Sequence, residues 1–185
     1  MKTLIENARL IDPEAGTETQ GAVLIHDGRI WDVITGDTSG VEAERMDAHG
    51  KCLAPGIIDI GVKVSEPGER HKESFASAGR AAVAGGITTI VTRPDTLPAI
   101  DTPETLEFVE RRAKADAPVN VLPMAALTKG REGREMTEIG FLMDAGAVAF
   151  SDADRVVADT KVFSRALTYA RSLGALVVGH VQEPI

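Results

Sequence analysis

The chain has 185 residues, 43% of them hydrophobic, which is enough for one real core and a small second unit. A net charge of −8 gains nothing from counterion release on DNA or RNA, and the single cysteine, Cys52, excludes an internal disulfide and fits a reducing compartment. Charge at Glu6 interrupts the N-terminal apolar run, so it is no signal peptide, and no apolar run approaches the ~18 residues of a membrane span; a cytoplasmic globular protein is expected.

Residues 1–52 read as a small β module. Leu4-Ile5, Ala8 to Ile11 and Ala22 to His26 are short strand-like runs. Asp27-Gly28 is a hairpin signal, because both central residues of a type I′ turn need positive φ, and Arg29 to Ile34 is the returning strand. Val41 to Met46 has a helical spacing too short to define a helix. Asp47 to Gly56, rich in small residues, is the one linker-like stretch.

Residues 53–185 have a different texture. Ile57 to Val64 is an apolar run of strand length. His71 to Val83 has helical spacing and stops at Gly85-Gly86, a C-terminal cap signal rather than a phosphate cradle, since no Lys-Ser/Thr follows. Ile87 to Val91 is a β-branched strand. Thr102 as N-cap and Pro103 at the first helical position open a helix that runs to about Ala115. Val119 to Leu122, Ala147 to Phe150 and Ala175 to His180 read as strands; Met136 to Ala145 and Thr160 to Leu173 read as helices. Strands alternating with helices predict right-handed crossovers and a parallel sheet, either open and doubly wound or part of a (β/α)8 barrel. A full barrel needs roughly 250 residues. The sequence stops just past a strand with no helix to cover it, so a longer natural chain is expected.

Several motifs together resemble the class I dihydroorotases among the cyclic amidohydrolases. They are Leu53-Ala54-Pro55-Gly56-Ile57-Ile58-Asp59, Glu66-Pro67-Gly68, Lys72-Glu73, Ala84 to Thr89, Asp101 to Thr105, Ala126 to Gly130, Gly146 to Asp152, and His180. The resemblance spans nearly the whole chain. It implies an α/β fold, the N-terminal part of a (β/α)8 TIM-type barrel beside a small β-sandwich-like module. It also implies zinc-dependent cyclisation of carbamoyl aspartate to dihydroorotate in pyrimidine biosynthesis, and association with aspartate transcarbamoylase in a homo- or hetero-oligomer.

The departures fall on the chemistry. The family's first barrel strand ends in His-x-His, two zinc ligands on one face of the strand. Gly61 and Lys63 stand there, one without a donor and the other with a charge that repels a dication. Ala153 stands where the resemblance places a metal-bridging acid, which leaves His180 as the surviving ligand position, and one imidazole does not hold catalytic zinc. On the substrate side, Ser65 replaces an arginine that clamps the substrate carboxylate, and Asp95 replaces an asparagine that donates to it. Loss concentrated on these positions, with the scaffold motifs kept, predicts a pseudoenzyme with no catalytic residue, no zinc, and Lys63, Ser65, Arg93 and Asp95 as a vestigial substrate pocket.

Lys63 is expected to face the barrel mouth, its ammonium taking the place of the metal's charge beside Asp152, Asp154 or Asp95. Asp59 is expected to be structural, capping or pairing near its strand. His180 is expected to be a hydrogen-bonded core histidine. His26, His49 and His71 lack ligand spacing. Two other readings stay open: an active zinc amidohydrolase on dihydroorotate or another cyclic amide, with ligands beyond residue 185, and a module that holds an anion with Lys63 and Arg93.

Overall fold

The structure, a computed structural model, describes residues 1–182 and divides the chain into two compact units, Met1–Pro55 and Gly56–Ile185.

In the first unit, β1 (Lys2–Asp12), β2 (Thr17–His26) and β3 (Arg29–Ile34) form an antiparallel meander; β4 (Glu44–Asp47) and β5 (Cys52–Leu53) run parallel to β1. The two short runs expected at Leu4-Ile5 and Ala8 to Ile11 are one strand whose register shifts between Ile5 and Ala8, where Asn7 takes a positive φ of 54°. Asp27 (φ 50°) and Gly28 (φ 73°) make the left-handed pair that the hairpin demands. The helical spacing at Val41 to Met46 is overridden by pairing of Glu44–Asp47 with β1. Leu4, Ala22 and Leu24 form the core of this unit.

The second unit is a four-stranded parallel sheet in the order β6 (Ile57–Val62), β7 (Ile87–Thr92), β8 (Asn120–Ala125), β9 (Ala149–Phe150), half of a barrel sheet. The helices α1 (Phe75–Ala84), α2 (Pro103–Asp116), α3 (Ile139–Asp144) and α4 (Thr160–Leu173) follow the strands in turn. The main core, with Val64, Phe75, Ile90, Leu106, Val109, Ile139, Leu142 and Phe150, lies between sheet and helices, and Val91, Met124 and Ala149 form a second cluster. Each large side chain buried there stabilises by roughly 1.5–3 kcal/mol. On α2, Leu106, Val109 and Ala113 are the buried stripe at helical spacing, and the Thr102 hydroxyl caps Thr105 N with Pro103 in the first turn. In β6, Ile57, Ile58 and Ile60 are exposed, unlike the doubly covered strands usual in parallel sheets.

Four expectations need correction. The first helix starts at Phe75, not His71, because Ser74 and Ser77 form a reciprocal capping box that fixes its N-terminus. The Met136 to Ala145 helix shrinks to Ile139–Asp144: Met136 bridges to Thr128, and the Thr137 hydroxyl bonds to the carbonyls of Ala126 and Leu127. The strand at Ala147 to Phe150 is only its last two residues. Ala175 to His180 is not a strand but one parallel bridge, Phe150 with Val177, since its partner β9 has only two residues to pair with. No helix among the described residues is long and apolar enough to cross a membrane.

Candidate functional site

The C-terminal ends of parallel strands are where side chains from successive loops converge. Here each of the four strand ends delivers charge. Lys63 follows β6, Arg93 and Asp95 follow β7, Arg131 lies in the loop after β8, and Asp152 and Asp154 follow β9.

Asp95 is the hub. Its side chain is only 4% exposed. Arg93 grips it with two bonds, Nε to Oδ1 at 3.1 Å and Nη2 to Oδ2 at 2.7 Å. The Lys63 ammonium lies 3.1 Å from Oδ2, and Arg131 Nη1 approaches the same oxygen at 4.0 Å. Burial pushes the Asp95 carboxyl up, but the hydrogen bonds from Lys63 and Arg93, with their charges, together outweigh it and hold the group below the usual carboxylate range. Arg131 continues the network to Asp154 at 3.0 Å, and Arg93 reaches Asp154 at 4.0 Å. The Lys63 ammonium thus sits beside Asp95 rather than Asp152 or Asp154.

Asp152 is occupied elsewhere. It is buried and accepts from Thr128 twice, from the backbone N at 2.9 Å and from the hydroxyl. The Thr128 hydroxyl also accepts from Gly133 N at 2.9 Å, which ties the whole loop after β8 to the end of β9. That loop holds Arg131 at φ 56° with a side chain 9% exposed, and the Arg155 guanidinium donates to the Arg131 carbonyl at 3.1 Å. Sequence reasoning missed Arg131. The available signal was Gly130-Arg131-Glu132-Gly133, a turn that two glycines make tight enough to carry an arginine inward.

The positions that the resemblance assigns to metal do not fit zinc. Gly61 sits at φ 92° beside an irregularity in the β6–β7 register and has no donor. Lys63 is committed to Asp95, and Ala153 presents a methyl group, its backbone N bonded to Ser151 Oγ. His180, expected in a core, is exposed because its segment leaves the sheet after one bridge; its Nε2 lies 2.9 Å from Gln182 Oε1. Among the described residues no three His, Cys, Asp or Glu side chains gather as a metal-holding group. Ser65 is buried, and Asp59 lies exposed in mid-strand, not at a strand end where it could cap. In the first unit His26 packs edge-on to Trp31 and His49 sits by Asp47; His71 lies in the loop before α1.

Behind the mouth, Glu66 forms a second buried node. Its side chain is 4% exposed and accepts from Phe75 N at 3.2 Å and Arg112 Nε at 3.0 Å, with Arg70 Nε at 3.5 Å. The bond to Glu66, with Asp116 nearby, holds Arg112 more firmly protonated than usual.

Residues 50–184 match the model of the dihydro-orotase-like family. The chain is 40% identical over 183 residues to a dihydroorotase of Solibacter usitatus, covering 99% of this chain and 42% of the relative. A dihydroorotase of Trichlorobacter lovleyi is 37% identical over 183 residues, with 99% and 43% covered. Among solved structures, the L-hydantoinase (dihydropyrimidinase) of Arthrobacter aurescens superposes with a TM-score of 0.84 at 25% identity, covering 98% of this chain and 41% of that one. The chain therefore spans about two fifths of the length of these relatives. Its parallel half-barrel and its match over most of its residues place it in the dihydro-orotase-like family of cyclic amidohydrolases.

Proposed function

We propose that this chain is part of a cytoplasmic dihydroorotase-like protein of pyrimidine biosynthesis that no longer catalyses and keeps its fold for a structural task. Its partner on this reading is aspartate transcarbamoylase, and it carries no zinc. The observation that carries the proposal is the Lys63 ammonium held 3.1 Å from the buried Asp95 carboxylate, where the family resemblance calls for a neutral imidazole on a metal. A fixed cation at that point repels a dication and consumes the carboxylate that faces it. Gly61 and Ala153 remove two further donors.

The test is interconversion of dihydroorotate and carbamoyl aspartate by the full-length protein with zinc supplied. Turnover no higher than the buffer background supports the proposal; turnover above that background, lost in Asp95→Ala or His180→Ala, contradicts it. The 40% identity to a protein named dihydroorotase favours a second reading, an active zinc amidohydrolase with ligands elsewhere, and the same assay separates the two.

A further inference from the structure

Three cations from three successive strand ends surround one carboxylate. Lys63, Arg93 and Arg131 approach Asp95 Oδ2 at 3.1, 2.7 and 4.0 Å, and Arg93 also holds Oδ1. Among the described residues the only other acid in contact with this group, Asp154, is 59% exposed and meets Arg131 and Arg93 from the solvent side. The arrangement is that of a site for a bound anion: convergent donors, a guanidinium fork on both oxygens, and an occupant with a side chain 4% exposed. Its occupant is tethered to the backbone of the loop after β7 through one methylene group.

We propose that the mouth of the half-barrel is a small-carboxylate pocket built by Lys63, Arg93 and Arg131 and held shut by the chain's own Asp95. The pocket has the chemistry to take a free carboxylate, and the internal one excludes it. Arg131 supports this assignment independently. Its backbone is in the left-handed region at φ 56°, unfavourable for a residue with a Cβ, and the ion pairs of its side chain to Asp154 and Asp95 act to compensate that strain. The inference does not depend on whether the protein has lost catalysis.

Chemical rescue tests it. Asp95→Ala removes the carboxylate and leaves a space that fits formate. Formate is titrated against the Asp95→Ala protein and the wild type at constant ionic strength, with chloride as the balancing salt, and thermal midpoints are read. The expected result is a saturable rise of about 3 °C in Asp95→Ala and no saturable rise in wild type. If Asp95→Ala does not accumulate in folded form, its refolding yield with formate against chloride is the readout, and a yield at least doubled by formate is the expected result. A response equal in wild type, equal with chloride, or missing from both readouts overturns the proposal.

Discussion

The Lys63 ammonium and the Asp95 carboxylate, delivered by two neighbouring parallel strands, meet at 3.1 Å with the acid buried and the base half exposed. The pair is an open-faced ion pair, not a fully buried one, so its coupling is discounted for solvent screening. A double-mutant cycle of Lys63→Met and Asp95→Asn in urea denaturation is expected to give a coupling of about 1 kcal/mol. A coupling of about zero would mean that the two groups share a place and nothing more.

The pH dependence of this contribution has a definite sign. The native Asp95 carboxyl lies below its unfolded value, near 3.9. Its stabilisation is therefore complete above that unfolded value and is lost as pH falls through the native one. The stability gap between wild type and Asp95→Asn should hold steady between about pH 7 and pH 5 and close below about pH 4. A gap that widens on acidification is the opposite result.

Glu66 ties the loop after β6 to the first turn of α1 and to Arg112 on α2. Glu66→Gln weakens the bonds that depend on its charge but leaves the packing in place. A fall of about 4 °C in the thermal midpoint is expected, with the secondary structure unchanged by circular dichroism.

Thr128→Val removes the hydroxyl that serves both Asp152 and Gly133 N while keeping the shape. Asp152 keeps only the Thr128 backbone donor, in a buried position. Denaturation should show a loss of about 2 kcal/mol, more than a surface Thr→Val substitution costs.

Gly61 is the position where restoring a histidine would begin. A Cβ there would meet nothing within 4 Å, so space is not the obstacle; the φ of 92° is. Gly61→Ala should destabilise by about 1–2 kcal/mol in urea denaturation, and Gly61→His by at least as much. A neutral outcome would show that the backbone of β6 relaxes easily to ordinary strand geometry.

Much of the barrel half was legible in the sequence because its signals are local. The hydroxyl of Thr102, the imino ring of Pro103 and the stripe Leu106, Val109, Ala113 each act within a few residues, and α2 begins where they say. The hairpin at Asp27-Gly28 is equally local. What was not legible depends on partners distant in sequence. Glu44–Asp47 pairs with β1 against its own spacing, and Ala175 to His180 has strand composition but only two residues of β9 to pair with. In the site, the mismatch of Gly61, Lys63 and Ala153 with a metal centre could be read from the family motif. Arg131 was marked only by the turn glycines Gly130 and Gly133, and its place in the site was not legible, because its loop is folded inward by Thr128 and Asp152, residues more than twenty positions apart.

The most direct test of lost catalysis is the zinc content per chain of the natural full-length protein, purified without chelator. With Lys63 paired to Asp95 and no donors at Gly61 and Ala153, less than about a tenth of an equivalent is predicted, too little metal to activate water. One equivalent or more would mean that ligands elsewhere rebuild the centre, and the non-catalytic reading would be wrong.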